Sequence, residues 1–255
     1  MIDKEIEKIR YNTFSEKKLI KSNNSSLSNI GSSYLPKYIA KPYIKYEELI
    51  TKSIQNKKNT NILDLCCGDG IYTFIGAING ANVIGLDYSD KSIQFAKERC
   101  KLLKINIDFR VCDVEKLPFE NKSFDIVTCV GSFSYIDHDL LIAEIYRVLK
   151  CGGEFICLDS YNHNIFYKLN RYFHFLRGQR TFSTLTRMPN DILISKIKKQ
   201  FTSVEIFHFG IFIFLAPFIK FFLGENNTSY LIEKLDIIFF KLKKFSFKIV
   251  FKDIK

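Results

Sequence analysis

Between Asn61 and Asp159 short apolar runs alternate with longer segments whose apolar residues recur at helical spacing. The runs "TNILDL" (60–65), "NVIGLD" (82–87), "IDFRVCD" (107–113), "FDIVTCV" (124–130) and "GEFICLD" (153–159) have strand length, and their near-continuous apolarity marks strands covered on both faces. Between them lie helical patterns, among them "SDKSIQFAKERCKLL" (89–103), where Ser89 can cap the helix, and "HDLLIAEIYRVLK" (138–150). Strands separated by helices predict a parallel sheet with helices on both sides, the doubly wound α/β class. Upstream, residues 3–20 predict a charged helix, the Ser/Asn-rich stretch 21–33 a loop, and "PYIKYEELITKSIQ" (42–55) a helix with Pro42 in its first turn. Downstream, "SVEIFHFG" (203–210) predicts a sixth strand, residues 229–244 a helix, and "FSFKIVFKD" (245–253) an antiparallel last strand. The apolar stretch 211–224 reads as an inserted helix between them. The expected sheet is thus seven-stranded and mostly parallel.

Composition narrows the classes. A chain of 255 residues with 47% hydrophobic content can bury a substantial core, so disorder is not expected. Seven cysteines, an odd number without metal-ligand spacing, argue for reduced thiols in a cytoplasmic setting and against a disulfide frame or a metal site. The charged N-terminus lacks the apolar core of a signal peptide, so export by that route is not expected. No apolar run reaches the ~18 residues of a membrane span, which leaves peripheral membrane contact through 211–224 as the open alternative to a buried helix. The net charge of +11 is unevenly placed: residues 1–160 hold 22 basic and 21 acidic residues, whereas 161–255 hold 16 and 6. That excess fits either a compositional bias or an anionic ligand or surface.

In a doubly wound sheet, ligands bind beyond the carboxyl ends of the strands. The first strand ends in "NILDLCCGDGIYT" (61–73), where Gly68 and Gly70 allow a tight turn and Asp64 closes the strand. The second ends in Asp87, placed to accept two ribose hydroxyls, and the third in Asp113, placed at a base edge. Three aspartates at three strand ends describe a nucleoside-shaped site. A nicotinamide dinucleotide fits less well: Cys66 and Thr73 stand at the first and third glycine places, and Asp69 would repel a pyrophosphate.

These segments, together with "VIGLDYSDKSIQFAK", "VCDVEKLPFENKSFDIVTCVGSFSYI" and "EIYRVLKCGGEFICLD", resemble in order and spacing the class I S-adenosylmethionine-dependent methyltransferases of the small-molecule type. The resemblance covers residues 60–160. It departs from the family's usual pattern at Cys66, where glycine is common, and at Cys151, where proline is. It implies S-adenosylmethionine as cofactor and divides the chain into an N-terminal helical lid (1–58), a cofactor-binding core (59–160) and a substrate-covering insertion with the last strands (161–255). Residue by residue it implies that Asp64 with the backbone at Cys66, Gly68 and Gly70 holds the methionine part, Asp87 the ribose, Tyr88 an adenine face, Asp113 and Val114 the adenine edge, and Val130 and Gly131 the sulfonium end.

The acceptor side carries less signal. Residues 159–191 are too long for a simple connection and hold Arg171, Arg177, Arg180 and Arg187, half of the eight arginines, which suits recognition of phosphate or carboxylate. His163, His174 and His138 are the candidate general bases, and Tyr34 and Tyr43 the aromatics that could close over the site from the N-terminal side. The reading is O-methylation of a small anionic acceptor, such as a phosphorylated or nucleotide-linked sugar. An RNA methyltransferase and a non-catalytic cofactor-binding scaffold remain as alternatives, nucleic acid being disfavoured because "CVGSFS" lacks the Pro-Pro-aromatic clamp. A homodimer stays open.

Overall fold

The computed structural model describes residues 2–21, 27–55, 57 and 59–255. Seven strands form one sheet: β1 (Asn61–Leu65), β2 (Asn82–Asp87), β3 (Asp108–Val111), β4 (Phe124–Val130), β5 (Leu149–Ser160), β6 (Ser203–Phe209) and β7 (Lys248–Ile254). Their order is β3-β2-β1-β4-β5-β7-β6, with β7 antiparallel to both neighbours and the remaining pairs parallel. The order reverses between β1 and β4, so the crevice at the carboxyl end of the sheet opens there.

Both faces of the sheet are covered. One buries Leu63, Leu65, Val127 and Phe155 against α5 (His138–Val148) and α8 (Asp191–Gln200), through Leu141, Ile145, Leu193 and Ile197. The other buries Ile62, Val83, Ile126 and Ile156 against α2 (Lys37–Gln55), α3 (Thr73–Ile78) and α4 (Asp90–Leu103). The alternation of strand side chains between two apolar layers is why these strands read as continuous apolar runs. Capping follows the sequence signals: Ser89 accepts from the Ser92 N–H at the start of α4, and Asp137 accepts from Asp139 and Leu140 at the start of α5. α1 (Ile2–Lys21) lies across the carboxyl edge and packs on α4. α6 (Ile165–Leu176) and the short α7 (Ser183–Thr186) form the segment between β5 and α8.

Four expectations are corrected. Pro42 lies inside α2 rather than in its first turn, because the helix already starts at Lys37, where the Pro36 carbonyl accepts from Ile39 and Ala40. β5 begins at Leu149, paired with Phe124, and a register shift absorbs the Cys151–Gly152 turn. The inserted helix of the apolar stretch 211–224 starts only at Ala216, after a 3₁₀ turn (Ile213–Leu215), and forms the first half of α9 (Ala216–Ile238), whose two helical halves are separated by the non-helical Gly224, φ 73° and ψ 173°. Residues 240–245 form a further 3₁₀ turn instead of the end of the expected helix 229–244. Of the polar stretch 21–33, residues 22–26 lie outside the described residues.

Candidate active site

A cavity of about 260 Å³ opens where the sheet order reverses, walled by the carboxyl ends of β1, β2, β3 and β4 and roofed by α1. Asp64 forms its floor. The carboxylate is buried, with Thr73 Oγ1 donating to one oxygen (2.5 Å) and Thr128 Oγ1 to the other (2.8 Å). Burial pushes its pKa up to about 6, the two hydroxyls opposing the shift, so it carries a full negative charge only above that pH.

The glycine turn is fastened to the end of β2. Asp87 accepts from the N–H of Gly68 and of Ser89, both at 2.8 Å, and Cys67 N donates to the Leu86 carbonyl (2.8 Å). Two of the carboxylate's lone pairs are thereby used, leaving others for a ligand in the cavity. Cys66 adopts a left-handed conformation, φ 54°, so the backbone trace that usually calls for glycine is kept with a thiol in its place. That thiol is held neutral: its contact with Cys129 and its burial both push it well above the ordinary value. At Gly68, φ is 56° and a Cβ would meet nothing within 4 Å, so the turn presents bare backbone to the cavity. Gly68→Ala should therefore fold, with a backbone cost of about 1–2 kcal/mol, while placing a methyl group in the cavity. A thermal melt and a cofactor titration on the same variant separate the two effects.

Nine of the ten expected cofactor residues line this cavity: Asp64, Cys66, Gly68, Asp87, Tyr88, Asp113, Val114, Val130 and Gly131. Gly70 does not. It is required elsewhere, since a Cβ there would come within 2.7 Å of the Phe109 ring. Asp113 has a partner the sequence did not announce: Lys4 of α1 donates to its carboxylate (2.6 Å) and pairs with Glu115 (3.0 Å). The Tyr88 hydroxyl donates to Glu5 (2.5 Å), with Lys8 4.7 Å above its ring. Both side chains thus anchor the roof helix as well as lining the cavity.

The acceptor-side expectations need more correction. Among the described residues no histidine lines the cavity. His138 faces the Phe133 carbonyl (3.0 Å) and is depressed by burial, His163 sits beside Asp191 (3.3 Å), and His174 contacts Gln179. Of the arginines, Arg171 is buried within the insertion, donating to the Thr184 carbonyl (2.6 Å) and Tyr167 (3.3 Å); Arg177 is exposed at the end of α6; and Arg187 lies away from the cavity. Only Arg180 reaches the cavity wall, donating to the Tyr135 hydroxyl. Tyr34 and Tyr43 line nothing themselves. Tyr43 stacks on Tyr72 (5.4 Å), which does.

Several wall residues were missed: Lys4, Glu7, Lys8 and Tyr11 from α1, and Tyr135 beyond β4. Glu7 is buried and joins the roof to the insertion, accepting from Arg10 Nε (2.6 Å) and from Thr181 Oγ1 (3.2 Å). Tyr11 packs edge-on against Tyr135 (5.5 Å), and Arg10 Nη2 donates to the same Tyr135 hydroxyl (3.4 Å). Tyr135 lay within the motif 111–136, whereas the lid expected over 1–58 came without named residues, since nothing local in "MIDKEIEKIRY" singles out its wall side chains.

Comparison with known proteins bears on the fold that carries this cavity. Residues 62–153 match the family model described as a methyltransferase domain. The chain is similar to the demethylmenaquinone methyltransferase of Lactococcus lactis, 41% identical over 107 residues, covering 39% of this chain and 42% of that one. It is also similar to that of Listeria monocytogenes, 32% identical over 130 residues, with 49% and 55% covered. The chain thus spans about half the length of the curated relatives it matches. Among solved structures, a phosphoethanolamine N-methyltransferase of Haemonchus contortus in complex with S-adenosyl-L-methionine superposes with a TM-score of 0.57 at 21% identity, covering 83% of this chain and 52% of that one. The geranyl diphosphate C-methyltransferase of Streptomyces coelicolor, in complex with geranyl diphosphate and S-adenosyl-L-homocysteine, gives 0.56 at 18%, with 84% and 80% covered; likenesses at this level speak for the fold. Residues 62–153 thus match a methyltransferase domain, and the chain has the fold of the S-adenosylmethionine-dependent methyltransferases on which it superposes.

Proposed function

We propose that this protein transfers a methyl group from S-adenosylmethionine to a small acceptor bearing an anionic group. The observation that carries the reading is the convergence of Asp64, Asp87 and the bare Gly68 turn on one cavity. The fit to the cofactor rests on chemistry: Asp64 offers a buried negative charge to an ammonium, Asp87 keeps acceptor capacity for vicinal hydroxyls, and the open face of Gly68 admits close approach. When bound, the cofactor supplies an already activated methyl group. The chain's own task is then to exclude water, which α1 does as a roof, and to hold the acceptor in line.

Arg10 and Arg180, meeting at Tyr135 beyond Gly131, are the groups that would orient an acceptor's phosphate or carboxylate. With no imidazole among the described residues of the cavity wall, and with burial pushing the Tyr11 hydroxyl far above its usual pKa, the residues favour an acceptor that needs positioning more than deprotonation, either an oxygen already ionised at neutral pH or a neutral amine. This class is broader than a sugar, and the relatives' names lend the sugar no support.

Isothermal titration with S-adenosylmethionine, S-adenosylhomocysteine and NAD in parallel is the first test. Saturable binding of the two sulfur ligands without NAD supports the reading, and binding of NAD alone would refute it. Once an acceptor is found in a screen of phosphorylated and carboxylated small molecules, Arg180→Ala should raise its KM roughly 10- to 100-fold, as for loss of a charge-assisted hydrogen bond, and Arg177→Ala should leave it unchanged. Equal effects in both variants would remove Arg180 from the acceptor site.

A further inference from the structure

Beside the cavity, the carboxyl edge of the sheet carries a second surface that methyl transfer leaves unused. Three segments emerge at this edge: α6 after β5, residues 211–223 after β6, and residues 237–247 before β7, whose first residue Lys248 pairs with both Ser160 and Phe209. Asn164, the cap of α6, ties them together by donating to the carbonyls of Ile211 (3.4 Å) and Phe245 (3.1 Å). Aromatic contacts continue the junction, with Phe166 stacked on Phe214 (4.2 Å) and Phe212 against Phe239 (5.3 Å).

The outward side of this assembly is apolar and open. On α6, Ile165, Leu169, Phe173 and Leu176 follow one another at helical spacing as a single exposed stripe. On the first half of α9, Phe221 and Phe222 are 83% and 78% exposed. Basic residues adjoin exposed aromatics, Lys243 lying 5.1 Å over the Phe240 ring and Lys244 5.2 Å over that of Phe245; with Lys241 they fall in a stretch, 237–252, that contains no acid, and Glu225 near Phe222 is paired with Lys220 (3.4 Å). Lys243 and Lys244, with Lys198 and His208, also line a recess of about 350 Å³ beside β6, where Asp191 is the one carboxylate and is bonded to Tyr161. Among the described residues no helix is long and apolar enough to cross a membrane.

We propose that this face docks on a lipid bilayer with anionic headgroups, the apolar stripe entering the headgroup boundary and the lysines meeting the phosphates. The complementarity is with a surface that is apolar inside and negative at its rim. A second copy of the chain fits less well, because two-fold pairing of the face with itself would set one lysine cluster against the other. The inference does not depend on methyl transfer, although the cavity opens at the same edge and would then lie next to the bilayer.

Co-sedimentation of the full chain with vesicles tests it. At low salt the protein should pellet with vesicles of phosphatidylcholine mixed with phosphatidylglycerol and stay in solution with phosphatidylcholine alone. Replacing Lys241, Lys243 and Lys244 together by alanine should lower partitioning roughly 100-fold, and Phe221→Ser with Phe222→Ser about tenfold. Both variants alter exposed side chains, so unchanged melting and cofactor titration serve as the folding control. The proposal is overturned by no association with the mixed vesicles, by association that both variants retain, by a single-stranded RNA that displaces the vesicles, or by a dimer that the Phe221→Ser, Phe222→Ser variant abolishes. Methyl transfer without vesicle binding would overturn this proposal alone, and vesicle binding without transfer would leave it standing.

Discussion

Asp253→Asn should stabilise the protein by about 4 kcal/mol at pH 7 relative to its effect near pH 4. Asp253 is fully buried on β7, on the same side as Phe251, and among the described residues neither carboxylate oxygen has a hydrogen-bond partner. Burial alone pushes its pKa up to about 8, from an ordinary 3.8. The folded chain therefore keeps a proton on this group while the unfolded chain, above about pH 4, releases it. Stability from this residue is fully present below the unfolded pKa. It is lost at about 1.4 kcal/mol per pH unit as the pH rises toward 8, where the loss levels off. Asparagine has nearly the same shape and does not titrate, so its advantage grows over that same window. Urea denaturation of both proteins from pH 4 to 8 is the measurement, read as the difference between them so that other groups cancel. Parallel curves would mean that water reaches the carboxyl group and the site is not dry.

Asp87→Ala should weaken binding of S-adenosylmethionine by about 1.5–3 kcal/mol, on the order of 10- to 200-fold. Two causes act together. The side chain offers a charged acceptor to ligand hydroxyls, and it also holds the N–H groups of Gly68 and Ser89, so its removal loosens the turn that forms the cavity floor. Asp87→Asn distinguishes them. An amide oxygen can keep one of these backbone bonds but loses the charge, so most of the affinity loss should persist with little change in melting temperature. If titration calorimetry shows unchanged affinity for both variants, the ribose is not bound at β2.

The strand-end half of the cavity was legible because it is local. Asp64, Gly68, Asp87 and Gly131 each lie within three residues of a strand end, and a strand end in a parallel sheet is fixed in space once the strand is recognised. The acceptor half was not, and the arginines show why. Four of them fall within 17 positions of the chain, yet Arg171 turns inward to a carbonyl, Arg177 points to solvent, Arg187 stands aside, and only Arg180 reaches the wall. Its partner there is Arg10, 170 positions away in the chain. The histidines misled for the same reason, since proximity to a strand end in sequence says nothing about which way an insertion folds its side chains. Gly70 is the reverse case: its place in a glycine motif pointed to ligand, but the constraint comes from Phe109 on the neighbouring strand.

Apolar periodicity, strand-end aspartates and turn glycines by themselves determined the sheet, the position of the cavity and the chemistry of its floor, because backbone geometry over a few residues settles all three. The resemblance implied a lid over 1–58, but which of its residues cover the floor, and what holds them there, was decided only in the tertiary structure. α1 is held over the cavity by Lys4 on Asp113, 109 positions away, and by Glu7 on Thr181, 174 away. Such contacts form because a particular packed arrangement brings complementary groups together, and no feature of either segment alone encodes its partner.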